Sequence, residues 1–331
     1  MDRVEKALHA LDLTGRGLEI GPSYNPLVPK ASGRRIETVD HAEQAELVAK
    51  YRGFGLGQDQ LDKIEPVDHL WMGGSLLDVI GDHGGYDYII ASHFIEHTVD
   101  MIGFLRDCQT LLKDDGRLAL VVPDKRYCFD RFQPLSTVGD VLDACDGGNA
   151  FHTPGPLVDH QAYACTSNGA LTWSADYHGE LRVQFDNLAG AAEALQNGLD
   201  QKEYFDTHRW KFTPTSFDLL IADLADLGQH DFGVLEQFPT EGFEFFVTLA
   251  KGAATHEPRD RMALLLQIEA ELVEASGVAP AQALETAQLK ALRSENEHLR
   301  SQLTELHRSS SWRVTAPLRA AAERVRNLRS A

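Results

Sequence analysis

Residues 15–26 read GRGLEIGPSYNP. The apolar run that contains Glu19 has the length of a buried strand, and it stops at Gly21. The residues after that glycine are typical of turns: Pro22, Ser23, Asn25 and Pro26. The stretch therefore predicts a strand that leads directly into a ligand-binding loop.

Strand-like and helix-like segments then alternate as far as Pro123. The strand-like runs are GLEIG, RIETVD, DHLWM, YDYIIAS and RLALVVP. Short apolar strands separated by helices favour a parallel sheet covered on both faces. Two later runs, DFGVLEQFP and FEFFVTLAK, are separated by a short turn at 240–242 and predict an antiparallel hairpin. The expected fold class is α/β, a Rossmann-like sheet of seven strands that closes with this hairpin.

The rest of the chain divides into an insertion and a helical extension. From 132 to 212 the regular pattern gives way to a stretch rich in Gly, His and aromatic residues, and loops of that length are usually functional. A helix follows, capped by Thr213 or Thr215. We expect a main domain at 1–252 with a substrate-side insertion at 132–212, and a further helix at 256–277.

The segment 282–308 has the pattern of a coiled coil. Its two core positions hold Leu289, Asn296 and Leu303, and Leu292, Leu299 and Leu306. A buried Asn sets the register of such a coil, so the pattern predicts a parallel homodimer. A single solvated amphipathic helix is the alternative, because the segment is short.

The chain has 331 residues and a formal net charge of −19, but the charge is unevenly distributed. After His307, six arginines accompany one glutamate. The rest of the chain is therefore strongly acidic and would repel a phosphate backbone, so no nucleic-acid partner is expected. The tail at 309–331 combines Trp312 and Leu318 with these arginines. It suits peripheral contact with an anionic membrane surface, unless it is a disordered basic tail.

Cysteine usage and hydropathy bear on the cellular compartment. The four cysteines form no CxxC pair, and the charged N-terminus is unlike a signal peptide. The apolar stretches LALVVP and MALLLQI are far shorter than the roughly 20 residues that span a membrane. We expect a cytoplasmic protein whose membrane contact, at the inner face of the cell membrane, is peripheral.

Polar clusters follow the predicted strands at their carboxyl ends, where ligands bind in an open parallel sheet. Asp40 follows Glu19 by about the 20 residues expected between a first-strand loop and an acidic residue that binds a ribose diol. The chain lacks GxGxxG at this loop, and the glycines of that motif are those that admit a pyrophosphate. The sequence therefore favours a nucleoside-like cofactor without phosphates.

The stretches GLEIGPSYNP, VDH, YDYIIASHFIEH, LLKDDGRLALVVPD and FEFFVTLAK resemble the class I S-adenosylmethionine-dependent methyltransferases, over about Val4 to Lys251. In that family the first loop is acidic-x-Gly-x-Gly-x-Gly, and here Ser23 and Asn25 replace the later glycines. The family's acidic residue after the third strand has no clean counterpart in WMGGSLLD. The resemblance implies S-adenosylmethionine as cofactor, bound by Glu19, Gly21, Pro22, Ser23, Asn25, Asp40, Ser75, Leu76, Ser92 and His93.

The segment from His93 to His97 also matches HxxEH, the inverted zinc-peptidase signature. That motif must lie within a helix, whereas here it follows a strand, which disfavours a peptidase. Small-RNA methyltransferases of the same fold use a similar Glu-His pair with another His to hold a divalent ion. That resemblance implies a possible metal set of Glu96, His97 and His160, and a packed, hydrogen-bonded loop is the alternative.

Transfer of a methyl group to a hydroxyl benefits from a base, and histidine is best suited to that role at neutral pH. The candidates, all in predicted loops above the sheet, are His208, His160, Asp124 and His97. A single histidine is more often a surface or structural residue. The cluster DTHRWKF around His208 and the stretch VDH at His160 raise these two above that expectation.

The combination of ASHFIEH, VPDKRYCFD and HRWKFTPTSF resembles a subgroup of these methyltransferases associated with bacterial surface polysaccharide clusters. The tail SSSWRVTAPLR is similar to C-terminal extensions of glycan-assembly proteins. The resemblance implies methylation of a sugar hydroxyl, or less readily an amine, on a cell-surface glycan or its lipid-linked or nucleotide-linked precursor. The alternatives are a methyltransferase for a small metabolite or an RNA 2′-hydroxyl with metal assistance, and a non-catalytic scaffold of the same fold.

Overall fold

The computed structural model describes residues 1–81, 83–177, 179–198, 206–253, 259–276 and 300. The chain forms two compact units, Met1–Ala275 and Ser276–Ala331. The predicted coiled coil at 282–308 and the basic tail at 309–331 lie outside the described residues, apart from Arg300. The sheet and the candidate site belong to the first unit.

The strands are β1 Arg16–Ile20, β2 Arg35–Asp40, β3 His69–Leu70, β4 Tyr86–Ser92, β5 Leu112–Pro123, β6 Cys165–Ser167, β7 Leu181–Val183, β8 Phe232–Glu241 and β9 Glu244–Lys251. Seven of them form one sheet in the order β3-β2-β1-β4-β5-β9-β8, and β6 pairs with β7. The first five strands pair in parallel, whereas β9 runs antiparallel to both β5 and β8. The predicted α/β sheet with a terminal antiparallel hairpin is confirmed.

The helices are α1 Arg3–Leu8, α2 Gln44–Gly53, α3 Gln58–Leu61, α4 Leu76–Ile80, α5 Met101–Leu111, α6 Val138–Gly147, α7 Pro154–Tyr163, α8 Ala189–Gly198, α9 Pro214–Asp226 and α10 Arg261–Ser276. Single 3₁₀ turns occur at Ile95–His97 and Lys125–Tyr127. Thr213, rather than Thr215, caps α9, because its hydroxyl accepts a hydrogen bond from the backbone of Ser216. Among the described helices, none is long and apolar enough to cross a membrane.

The central strands are buried on both faces. Along β4 and β5 nearly every residue from Tyr86 to Ala91 and from Leu118 to Pro123 is shielded from solvent. One face packs against α5 and α9, and the other against the N-terminal helix α1 through Ala7. This double cover explains why the strands read as continuous apolar runs.

The stretch 132–212, predicted as an irregular insertion, contains more regular structure than its sequence suggests. Its described parts include α6, α7, α8 and the β6–β7 hairpin. Helix α7 has no fully buried residue, so it lacks the apolar period that reveals a helix in a sequence. The prediction of irregular structure was wrong for these segments.

The strand order reverses between β1 and β4, since β1 pairs with β2 on one side and with β4 on the other. In open parallel sheets the ligand crevice lies at this point, beyond the carboxyl ends of the strands. The loop after β1, at 21–28, and the loop after β4, at 93–97, both leave the sheet there.

Candidate active site

Glu19 holds the loop after β1 in place. Its carboxylate is buried at the end of β1 and accepts hydrogen bonds from the backbone nitrogens of Leu27, at 2.6 Å, and Val28, at 3.1 Å. Burial raises the pKa of Glu19 to about 7, although both hydrogen bonds oppose the shift. The predicted cofactor residue therefore shapes the loop from beneath.

The turn at the start of this loop depends on two residues in the left-handed region. Gly21 has φ of 65° and donates its N–H to Val39 O, and Ser23 has φ of 47°. Tyr51 of α2 donates a hydrogen bond to the Ser23 hydroxyl at 2.8 Å, which compensates for the strain of a side chain in this region. The turn closes with Asn25 N donating to Pro22 O. The loop keeps its shape although its later glycines are replaced.

Asp40 stands at the end of β2 and is oriented by its neighbour. Its Oδ1 accepts hydrogen bonds from the backbone nitrogen and from Nδ1 of His41, at 2.8 and 2.6 Å. Its Oδ2 makes one long contact, 3.3 Å from the backbone nitrogen of Ser23. Oδ2 therefore has lone pairs left to accept hydrogen bonds from a ribose diol.

Ser75 and Leu76 do not offer free donors at the adenine position. The Ser75 hydroxyl and the Leu76 backbone nitrogen both donate to Asp107 of α5, at 2.8 and 2.6 Å. Trp71, directly after β3, and Phe94, in the loop after β4, form a tilted aromatic pair with ring centroids 5.5 Å apart. The predicted contacts of Ser75 and Leu76 are thus replaced by bonds within the protein, and the aromatic pair is the better surface for a purine.

Ser92 and His93 belong to an ionic network at the end of β4. Arg3 of α1 forms two hydrogen bonds with Glu244, at 2.6 and 3.1 Å, and one with the Ser92 hydroxyl at 3.2 Å. His93 Nε2 lies 2.7 Å from Glu244 Oε2, and its Nδ1 lies 3.5 Å from Glu96 Oε1. Burial lowers the pKa of His93, but these two carboxylates outweigh it and raise the value to about 9. The His93 side chain therefore links carboxylates and is not directed at a cofactor.

Glu96 occupies the centre of the candidate active site. It lies in the 3₁₀ turn after β4, is completely buried, and neither carboxylate oxygen has a hydrogen-bond partner among the described residues. Burial raises the pKa of Glu96, but its interactions, first with His93 and then with His97 and His208, outweigh the burial and keep the pKa below its usual value. A buried carboxylate in this state attracts cations and protons.

His97 and His208 approach Glu96 from two sides. Their Nε2 atoms lie 3.9 and 4.0 Å from Glu96 Oε1, and the two rings meet edge to face with centroids 4.6 Å apart. Each ring presents its Nδ1 to a carboxylate: His97 to Asp206 at 3.0 Å, and His208 to Asp130 at 2.5 Å. Such carboxylate partners fix which nitrogen carries the proton and leave Nε2 facing Glu96.

The donor atoms of Glu96, His97 and His208 all lie within 4.8 Å of one another. One carboxylate and two imidazoles, each with its Nδ1 close to a further carboxylate, match the ligands of a divalent transition metal. His160 was predicted for this set and is not in it: its ring packs against Phe129 and Phe185, with centroids 5.2 and 5.7 Å away. Burial lowers the pKa of His160, which keeps it neutral.

Asp124, predicted as a catalytic candidate, is a structural residue. Its side chain is fully buried, and Arg126 binds both of its oxygens at 2.6 to 3.0 Å. The hydroxyl of Thr240 donates to Oδ2 at 2.6 Å. With both oxygens occupied by these donors, Asp124 is not available to take a proton from a substrate.

Comparison with known proteins identifies the family that shares this architecture. The model of a family described as "Methyltransferase domain" matches residues 1–223. The chain belongs to the methyltransferase domain family. No curated protein matches it.

Solved structures similar to this methyltransferase include several S-adenosylmethionine-dependent enzymes. The trans-methyltransferase CalH, in complex with SAH, shares 16% identity at a TM-score of 0.34, over 72% of this chain and 52% of CalH. The CcbJ methyltransferase of Streptomyces caelestis shares 13% identity at a TM-score of 0.38, over 76% of this chain and 97% of its own. A methyltransferase from Aquifex aeolicus shares 12% at a TM-score of 0.35, over 75% and 89%. The methyltransferase thus spans about half the length of CalH.

S-adenosylmethionine is the cofactor that the sequence resemblance implies for this member of the methyltransferase domain family, and the residues of the crevice fit it. Gly21 places no side chain between the loop and Phe94, whose ring would lie 3.6 Å from a Cβ at that position. Asp40 Oδ2 is poised for the ribose, and the Trp71–Phe94 pair offers an apolar surface for the adenine. Glu96 and His97 follow β4 at the same edge of the sheet, and His208 lies beside Glu96.

Two residues of the site escaped prediction from the sequence: Asp130, which binds His208, and Trp71, which pairs with Phe94. Asp130 follows β5 by a few residues, so proximity to the strand end could have indicated it. Asp206, which lies 3.0 Å from Nδ1 of His97, belongs to the cluster DTHRWKF that the sequence already indicated. Trp71 directly follows β3, and this position at the end of a strand could have indicated a residue of the cofactor crevice.

Proposed function

We propose that this methyltransferase transfers the methyl group of S-adenosylmethionine to a sugar hydroxyl of a cell-surface glycan or of its lipid-linked or nucleotide-linked precursor. The observation that carries the proposal is the pairing of His208 with Asp130 beside the cofactor crevice. A hydroxyl is a poor nucleophile until it loses its proton, so an acceptor of this kind requires a positioned base.

His208 has the geometry of that base. Asp130 accepts the Nδ1 proton at 2.5 Å, so Nε2 carries the lone pair. Nε2 takes the hydroxyl proton as the acceptor oxygen attacks the methyl carbon. The carbon–sulfur bond breaks, its electrons remain on sulfur, and S-adenosylhomocysteine leaves. Alignment of oxygen, carbon and sulfur can supply roughly 7–11 kcal/mol, and the base about 10²- to 10⁴-fold in rate.

Aromatic side chains near the base support a sugar acceptor. Phe129 contacts the ring of His208 at a centroid distance of 4.6 Å and that of His160 at 5.2 Å, and His160 also contacts Phe185. Flat apolar rings next to polar groups suit the apolar face and the hydroxyls of a pyranose. The strongly acidic chain disfavours the RNA alternative, since it repels a phosphate backbone.

The test is methyl transfer from labelled S-adenosylmethionine to glycan extracted from cells that lack this protein. We expect transfer by the wild type, and a loss of about 10²- to 10⁴-fold in His208→Gln with unchanged affinity for S-adenosylhomocysteine. His69→Asn is the matched control, because His69 forms a similar pair with Glu37 at 3.0 Å on another part of the sheet. Tight cofactor binding without turnover on any glycan would favour the scaffold alternative. Mass spectrometry of glycan from cells with and without the gene identifies the methylated sugar.

A metal-assisted version of the same reaction is the second candidate, favoured by the buried carboxylate of Glu96, whose oxygens accept no hydrogen bond among the described residues. Glu96, His97 and His208 would hold the ion, and a divalent ion there would lower the pKa of a bound acceptor hydroxyl. In that version Asp130 and Asp206 orient the two imidazoles. Treatment with a chelator separates the versions: loss of activity that Mn²⁺ or Zn²⁺ restores supports the ion, and unchanged activity excludes it.

The C-terminal extension gives two further proposals. We infer that 282–308 pairs two copies and that 309–331 keeps them at the inner face of the membrane, where lipid-linked glycans are assembled. The leucine heptads and the interleaved arginines support these roles. Sedimentation with vesicles that contain anionic lipid tests the second, and binding that persists after removal of 309–331 would contradict it.

A further inference from the structure

Arg209 lies beside the reaction centre, and among the described residues its guanidinium forms no ion pair with a carboxylate. Its Nε and Nη1 are shielded from solvent, and neither has a hydrogen-bond partner among the described residues. The two carboxylates that act most on it are engaged elsewhere: Asp100 accepts the N–H of Gly103 at the start of α5, and Asp140 caps α6 together with Thr137. The guanidinium rests 4.9 Å from the centroid of the Trp210 ring.

The position of Arg209 ties it to the same centre as the proposed base. It follows His208 in the chain, and its backbone nitrogen donates to Glu96 O at 2.8 Å. Burial and the positive charges of Arg209 and His97 together lower the pKa of His152 to about 4, so His152 lies within electrostatic range of both residues.

Lys211 adds a second buried cation on the same extended segment. It is 7% exposed, and its ammonium donates to the backbone oxygen of Arg209 at 3.2 Å. An ammonium has three protons to donate, and the structure records one bond for it. Among the carboxylates whose charge acts on Lys211, Asp130 has the largest effect, and this carboxylate already binds Nδ1 of His208.

Two cations that are at least partly buried and form no ion pair with a carboxylate among the described residues favour the binding of an anionic ligand. Removing a guanidinium from water without a carboxylate partner is costly, and this cost is offset when a ligand brings the partner. The rest of the chain repels anions, so an anionic acceptor needs a local attraction. Arg209 is partly exposed, which leaves its guanidinium within reach of a ligand that enters the site.

We propose that the acceptor carries an oxyanion, a carboxylate or a phosphate, and that Arg209 and Lys211 bind it next to the hydroxyl that is methylated. This inference rests on the proposed function and narrows its substrate to acidic or phosphorylated sugars. A planar guanidinium can form two parallel hydrogen bonds with either group, so it fixes the orientation of the sugar as well as its charge.

Binding of simple sugars to the complex with S-adenosylhomocysteine tests the inference. Glucuronate, glucose 6-phosphate and neutral glucose serve as probes, and calorimetry or saturation-transfer NMR gives their affinities. We expect a charged probe to bind at least about tenfold more tightly than glucose, as hydrogen bonds to a charged group imply. The charged probe that binds more tightly shows whether the acceptor's oxyanion is a carboxylate or a phosphate.

The variants separate a specific role of Arg209 from a structural one. Arg209→Gln should lose most of the preference for charged probes, because only Lys211 remains to bind them, and Arg209→Lys should keep more of it. Arg106→Gln, which changes an exposed arginine on α5 that bonds to Gln229, should keep all of it. Unchanged affinity for S-adenosylhomocysteine shows that each variant is folded. Equal binding of all probes by the wild type, or a preference that is undiminished in Arg209→Gln, overturns the inference.

The same measurements distinguish this inference from the proposed function. Charge-selective binding through Arg209 without methyl transfer would refute the proposed activity and leave the anion site standing. Transfer to a neutral sugar with equal kcat/KM in the wild type and in Arg209→Gln would refute the anion site and leave the proposed activity standing.

Discussion

Replacement of Glu19 by Gln should change how the stability of the protein depends on pH. The folded-state pKa of Glu19 is raised from 4.5 to about 7 by burial. Between these values the folded protein keeps a proton that the unfolded chain has lost, so this group makes the protein less stable as the pH rises. At about 1.4 kcal/mol per pKa unit, the loss across the window is about 3 kcal/mol.

Glu19→Gln does not titrate, so its free energy of unfolding should lack this decrease. Relative to the wild type it should gain about 3 kcal/mol between about pH 4.5 and pH 7. Urea unfolding followed by tryptophan fluorescence at several pH values measures the difference. Glu65→Gln is the control, because Glu65 also binds this loop, at the backbone nitrogen of Lys30, but is less buried.

Glu19→Ala examines the hydrogen bonds of the same residue. It leaves the buried N–H groups of Leu27 and Val28 unpaired, at about 1–3 kcal/mol each, and should also weaken cofactor binding because the loop loses its support. A pH dependence in Glu19→Gln equal to that of the wild type, or an Ala variant as stable as Glu65→Gln, would refute the assigned role of this carboxylate.

Three other substitutions and a truncation give further expectations. Asp40→Asn should weaken S-adenosylhomocysteine binding at least about tenfold by calorimetry, through loss of a charged acceptor for the ribose. Asp130→Asn should reduce kcat at least about 10²-fold with little change in that affinity, because His208 loses its orienting partner. Asp124→Asn should cost about 3–5 kcal/mol in urea unfolding, because Arg126 is left buried without its charge partner. Removal of 282–331 should convert a dimer into a monomer in sedimentation equilibrium.

The sheet was predictable from the sequence because strands that are buried on both faces appear as continuous apolar runs. The strands β1, β2, β4 and β5 appear as apolar runs, and each has a polar residue at or within a few residues of its carboxyl end, at the same edge of the sheet. The hairpin of β8 and β9 was predictable from its short turn. Helix α7 was not, because none of its residues is fully buried and no periodic pattern results.

The site was predictable in its location and only partly in its residues. Position along the chain indicated that Asp40, Glu96, His97 and His208 would gather at one edge of the sheet. Position along the chain could not indicate that the guanidinium of Arg126 would bind the carboxylate of Asp124. That contact depends on a tight turn that brings together two side chains two positions apart. Nor could it choose between His160 and His208 as the partner of Glu96, since both lie far from it in sequence.

The bond between Arg3 and Glu244 has a consequence for the time at which activity first appears. It joins residues 241 positions apart, and through Glu244 it reaches His93 and then Glu96. A ribosome releases β9 last among the strands of the sheet, so His93 lacks its second carboxylate until synthesis of the sheet is complete. A nascent chain can build the cofactor crevice early, but it acquires the finished reaction centre only after its last strand has paired.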